Sequence, residues 1–228
     1  MEKIPILVPF EAGHEARAAG ATFDPASKRW FANPGCSLAG LVQWLPLRHR
    51  QHIDPPYIRI NLIPQTSWGA NVRAILSPEQ WRSLRRDHIY PSTGRCCLVC
   101  GGRGEAWPVE ADEIWHFDDQ AKVQKLVAIV PLCPACHEVR SVGLASTNGR
   151  LHHATKHLAW VNRWSVNQAS HAIDAAFNQW RARSRQRWTI DYSHLERVYG
   201  ISARWDEAKV RQINRGLIEE AQSRRRRR

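Results

Sequence analysis

Two pairs of cysteines constrain this chain more than any other feature. Cys97-Leu98-Val99-Cys100-Gly101-Gly102 and Cys133-Pro134-Ala135-Cys136 are both C-x2-C units, and a turn of that length lets two thiolates converge on one ion. The glycines after Cys100 release the backbone beyond the second ligand. Thirty-two residues lie between the halves, enough for a hairpin. Four thiolates close a tetrahedral site with no open position, which makes the predicted zinc structural rather than hydrolytic. Cys96 would form a C-x3-C unit with Cys100, the less usual knuckle, so Cys97 is the expected ligand. Cys36 and Cys96 stand outside the pattern. A chain of 228 residues buries a core without disulfide staples, and close pairs of cysteines in a reducing compartment read as metal ligands.

No N-terminal stretch combines a charged start with a long apolar run, and no segment approaches the ~20 apolar residues of a bilayer span. A soluble, cytoplasmic protein with no membrane partner is expected. The formal charge is +12, and setting aside the five positive charges of Arg224, Arg225, Arg226, Arg227 and Arg228 leaves +7. A basic body favours an acidic partner. Nucleic acid, above all DNA, is the commonest, because each neutralised phosphate releases counterions. The arginine run reads as a sequence-blind phosphate grip. Most of the 11 tryptophans are expected in the core, with base stacking a role for one or two.

The pattern divides the chain. Residues 1–46 read as a small β-α-β module. An apolar run, Ile4 to Phe10, makes a strand. A helical segment from His14 to Ala19 stops at Gly20, and Thr22 to Phe31 reads as strand, turn and strand around Asp24-Pro25. A helix is expected near Ser37 to Leu45. Residues 47–56, basic and bounded by prolines, read as a linker. Ile58, Ile60 and Leu62 alternate with polar neighbours as in a half-buried strand. Ser77-Pro78-Glu79 opens a helix. Further helices are expected over 150–161 and 166–185, a strand over 188–192, and a last helix over about 204–222, with a basic tail at 223–228.

The string "VPF…EARAAGATFDPASKRWF" resembles a small domain of unknown function found at the ends of plasmid primases and other bacterial DNA-processing proteins. Phe23 and Phe31 stand where that family prefers tryptophan and tyrosine. The segment from Arg95 to Ser146, with "CLVC" and "LCPACHEVR", resembles the ββα-metal, or HNH, endonucleases. Over 57–200 the chain is similar to bacterial HNH-like proteins with a "VECHEIW" and "CHEVKHIGLA" signature. The resemblance implies an α+β, treble-clef zinc domain over 57–200, packed among helices. It also implies metal-dependent cleavage or nicking of DNA. One divalent ion, magnesium or another, would stabilise charge on the scissile phosphate while a base polarises water.

Carried over residue by residue, Asp112 falls at the first metal-ligand position, Glu113 where the base often stands, and His137 at the helix ligand. Several positions depart from the pattern. Asp112 replaces a histidine, Ala111 a cysteine, and Ser141 a later helix histidine; Ala128 stands near the orienting asparagine. On a strand Asp112, Ile114 and His116 share a face, so His116 is an alternative base. His153 and His157, four apart on a helix, offer a second metal-compatible spacing. The preferred reading is a metal-dependent DNA endonuclease or nickase; the alternative is a catalytically silent DNA-binding or complex-assembly subunit with protein partners.

Overall fold

A computed structural model of the chain describes residues 3–203 and 206–226. They form a mixed α+β structure. In chain order the elements are β1 (Ile4–Ile6), α1 (Gly13–Ala18), β2 (Ala21–Asp24), β3 (Arg29–Ala32), α2 (Val72–Ile75), α3 (Pro78–Ser83), β4 (Glu110–Asp118) and β5 (Val123–Leu132). There follow α4 (Pro134–Arg140), α5 (Val142–Thr147), α6 (Leu151–Asn162), α7 (Val166–Arg183), β6 (Thr189–Asp191), α8 (Ser193–Tyr199) and α9 (Glu207–Arg226). Two compact units share these elements. The first runs through Ile60 and adds Arg85–Asp112 and Val130–Ile173; the second holds Asn61–Leu84, Glu113–Ile129 and the residues from Asp174 onward.

In the first unit, β1, β3 and β2 make an antiparallel sheet in that order, with Ile6 opposite Trp30 and Phe23 opposite Trp30 on the other edge. The β2–β3 turn forms as its residues predict, because the Asp24 carboxylate accepts from the backbone N–H of Ala26 and Ser27. Ile6, Val8, Ala16, Ala21, Ala32, Leu41, Trp44 and Leu45 form its core. The helix expected near 37–45 is instead a 3-10 segment, Ala39–Trp44, a short piece of the length at which the tighter helix is commonly used. The 47–56 segment is hydrogen-bonded to the first knuckle: Leu47 and Arg48 donate their backbone N–H groups to the carbonyls of Leu98 and Val99.

The alternating residues from 57 onward do not form a strand. Their backbone groups are met by side chains instead. Asn162 accepts from Ile58 N–H at 3.0 Å and donates to Ile58 C=O at 2.9 Å, and the Arg59 carbonyl accepts from Arg140. With these partners in place, the backbone groups of Ile58 and Arg59 are satisfied without a neighbouring strand.

The second unit centres on its share of a three-stranded sheet, ordered β4-β5-β6, with β6 parallel to the start of β5. Trp115, Phe117, Trp188 and Tyr192 are buried there, with Phe117 edge-on to Trp188 and Trp115 to Tyr192. α3 opens with the predicted cap, a reciprocal Ser77–Gln80 pair and Pro78 in the first turn. α9 packs on the 3-10 segment Gln65–Ala70, where a Cβ on Gly69 would lie 2.8 Å from the Val210 carbonyl oxygen. The arginine run predicted as a tail begins inside α9, whose backbone stays helical through Arg226; Arg227 and Arg228 lie outside the described residues. No helix among the described residues is long and apolar enough to cross a membrane.

Candidate metal centre and the ion-paired cluster beside it

All four predicted cysteines come together. The Sγ atoms of Cys97, Cys100, Cys133 and Cys136 lie within 4.8 Å of one another, and all four residues are buried. The local chain explains why. In the first knuckle Gly101 N–H returns to the Cys97 carbonyl, Cys97 N–H reaches the Gly102 carbonyl, and Gly102 N–H points at Cys100 Sγ at 3.3 Å. In the second, Cys133 caps α4 and Pro134 begins it, so Cys136 stands on the first turn facing the same point.

The donor set fits zinc. Zn–S bonds of about 2.3 Å in a tetrahedron place sulfur atoms about 3.8 Å apart, and Cys100 Sγ lies 3.7 Å from Cys133 Sγ. Hydrogen bonds from its three fellow cysteines push the Cys133 thiol far down; the bond to Cys133 pushes Cys100 far up, and the bond to Cys100 raises Cys136. Burial opposes ionisation of Cys97, yet the bond to Cys100 leaves it lowered. Four acidic thiols gathered this closely repel one another as thiolates, and a dication is what allows all four to lose their protons.

A second layer surrounds the sulfurs. His157 on α6 places Nε2 3.2 Å from Cys136 Sγ, and its ring lies 5.3 Å from that of Trp160. The Arg48 guanidinium, whose pKa burial lowers, sits 3.7 Å over the Trp160 ring and is attracted by Cys100 and Cys136. His153 does not join His157. It is exposed, with its ring against His152.

One residue beyond Cys136 lies a cluster of different chemistry. His137 Nδ1 meets the Glu110 carboxylate at 2.5 Å, and its Nε2 is 3.6 Å from Asp112 Oδ1. The other Asp112 oxygen accepts from Arg140 Nε, while Arg140 Nη1 reaches the Arg59 carbonyl at 3.1 Å. The Arg140 and Asp112 side chains are 8 % and 12 % exposed. The structure therefore brings Asp112 and His137 together, with Glu110 and Arg140 beside them. Neither of these two was singled out from sequence, though the signal existed. Glu110 shares a strand face with Asp112, and Arg140 lies three residues beyond His137 on one helical face.

The remaining candidates serve the second unit. Glu113 accepts from Val72 N–H at 2.7 Å, at the start of α2, and from Trp115 Nε1 at 3.0 Å. His116 is exposed between the buried Trp115 and Phe117. Among the described residues the four cysteines are the group of three or more His, Cys, Asp or Glu side chains that could hold a metal ion.

Comparison with known proteins reaches only the N-terminal part. Residues 3–46 match the model of a domain of unknown function, DUF5710. No curated protein and no solved structure matches the chain. What is similar to a known family is thus the small sheet module, and the four-cysteine centre stands on its own geometry.

Proposed function

We propose that the chain is a zinc-stabilised, HNH-like DNA-binding protein whose ββα cleft is closed by an internal ion pair. Cys97, Cys100, Cys133 and Cys136 hold the zinc, and the metal ties the knuckle to the start of α4. The observation that carries the reading is the Arg140 guanidinium on Asp112. At the position where the resemblance places a hydrolytic ion, a cation of the chain itself neutralises the carboxylate. Both ring nitrogens of His137 face carboxylates as well. The net charge of +12 supports DNA as the partner, with Arg224 to Arg228 adding phosphate contacts.

The hydrolytic reading keeps one specific support: Asp112 and His137 do face each other where strand meets helix, as a metal-binding pair of an HNH enzyme would. Glu113 as its base is less favoured, since its carboxylate already accepts from Val72 and Trp115. A supercoiled plasmid incubated with the protein and magnesium or manganese separates the two. Binding without nicks supports the closed cleft. Nicks that EDTA suppresses, and that Asp112→Ala or His137→Ala abolishes, overturn it in favour of the enzyme. A salt titration of DNA binding tests the partner. Removing Arg224 to Arg228 should weaken binding and flatten the log–log slope by up to about 4.5, since each phosphate contact contributes about 0.9.

A further inference from the structure

We propose that the module at residues 3–46 is an intramolecular clasp on the first zinc knuckle, and that retention of the metal depends on that clasp. The inference rests on the four-cysteine centre being a zinc site.

The contacts converge on ten residues, 94–103, that bracket Cys97 and Cys100. Two glycines there carry left-handed backbone and are pressed against the module. At Gly101, φ is +73°, and a Cβ would lie 2.8 Å from Pro46 Cγ and 3.0 Å from Pro5 Cγ. At Gly94, φ is +58°, and a Cβ would lie 2.6 Å from the Val8 carbonyl oxygen. Any side chain at either position meets both backbone strain and a wall.

Two arginines then cross in opposite directions. Arg29, on β3, donates to the Gly101 carbonyl. Arg103, just past the knuckle, donates to the carbonyls of Ser27 and Lys28 at 3.2 Å, in the β2–β3 turn, and to that of Gly94 at 2.8 Å. At the end of the module, Leu47 and Arg48 donate to Leu98 and Val99, the two residues between the ligands. The Gly101 carbonyl is thus held by the module and those of Leu98 and Val99 by the residues that directly follow it, while Arg103 joins the Gly94 carbonyl to the β2–β3 turn.

A bare C-x2-C turn must be ordered by its metal, and the conformational entropy of that ordering weakens binding. A knuckle held in place by a folded neighbour meets the ion already shaped. Outer partners of metal ligands change metal affinity by about 10–100-fold. The coupling is reciprocal, so the metal must in turn steady the module.

The test uses the full-length chain. Elemental analysis first establishes the zinc content of the wild type and of the double variant Arg29→Met, Arg103→Met. Zinc release into excess 4-(2-pyridylazo)resorcinol is then timed for both. One zinc per wild-type chain, with release accelerated about tenfold or more in the variant, is the expected result. One zinc with equal release rates overturns the clasp and leaves the zinc site standing, whereas wild type with no zinc overturns the metal reading itself. A second measurement avoids reliance on a variant that fails to fold. Removal of zinc from the wild type should raise amide hydrogen exchange over residues 21–32 while leaving α9 unchanged. Exchange over 21–32 that ignores the metal overturns the proposal.

Discussion

Cys136 and His137 are neighbours on α4, yet the clusters they join solve the burial of charge in opposite ways. The cysteine cluster gathers four acidic thiols, with the ring of His157 against Cys136. It is incomplete without an ion. The carboxylate cluster has its cation built in: Arg140 satisfies Asp112, and His137 lies between Asp112 and Glu110. Completeness, more than ligand type, separates a metal site from an ion-paired one. Two carboxylates and an imidazole are respectable ligands for a divalent ion, but a guanidinium on one carboxylate competes for the same lone pairs.

The contrast breaks most visibly at the cysteines. Cys136→Ser should lose stoichiometric zinc and unfold the first unit, because structural zinc contributes on the order of 10 kcal/mol in small sites. Elemental analysis and thermal melting check this; a variant that keeps both one zinc and the wild-type melting temperature would remove the distinction. Next in size is Arg140→Met, which takes the guanidinium from a carboxylate only 12 % exposed. Urea unfolding should register a loss of about 3–5 kcal/mol. Adding Asp112→Asn to that variant should recover part of it. If Arg140→Met instead gains manganese-dependent nicking, the arginine alone separates the silent cleft from the catalytic one.

Smaller effects sharpen the comparison in the second unit. Glu113→Ala removes the acceptor for Val72 N–H and Trp115 Nε1 and should cost about 1–3 kcal/mol while DNA binding is unchanged; a loss of binding at full stability would return Glu113 to the functional site. The smallest expected effect is at His194, which is buried with neither ring nitrogen hydrogen-bonded. Burial, aided by the Arg197 charge, lowers its pKa. The unfolded chain therefore binds the proton more readily, and stability should fall as pH drops through about 6.5 toward the folded value. Melting temperatures across that window should show a slope that His194→Phe reduces. Equal slopes in both proteins would mean another group titrates.

The parts legible in the sequence were those whose geometry is local. The C-x2-C pairs needed only a tight turn and a helix start to converge, and thiolates in pairs have few other uses. The cap at Ser77, the Asp24 turn and the long amphipathic helices α6 and α7 were readable for the same reason, since each is decided within a few residues. The run after Tyr57 reads as a strand in the sequence but forms none, because alternation reports burial on two faces without saying what meets the backbone. There, Asn162 and Arg140 take the place of a neighbouring strand. The segment at 47–56 reads as a linker by composition, and only its bonds to Leu98 and Val99 reveal how it is held.

By itself, then, the sequence marked four cysteines able to hold a metal, their pairing in two knuckles, a small sheet module ahead of them and a net charge of +12. It also placed Asp112 and His137 at one strand–helix junction. Tertiary structure alone decided what those two side chains would face. A carboxylate and an imidazole at a cleft can hold an ion or an arginine with nearly the same local sequence, and the choice depends on which helical face turns toward which strand. Here α4 presents Arg140 together with His137, and β4 presents Glu110 together with Asp112. Arg140 meets Asp112 across that junction and His137 lies between the two carboxylates, an outcome set by the orientation of two elements in space rather than by the chemistry of any one residue.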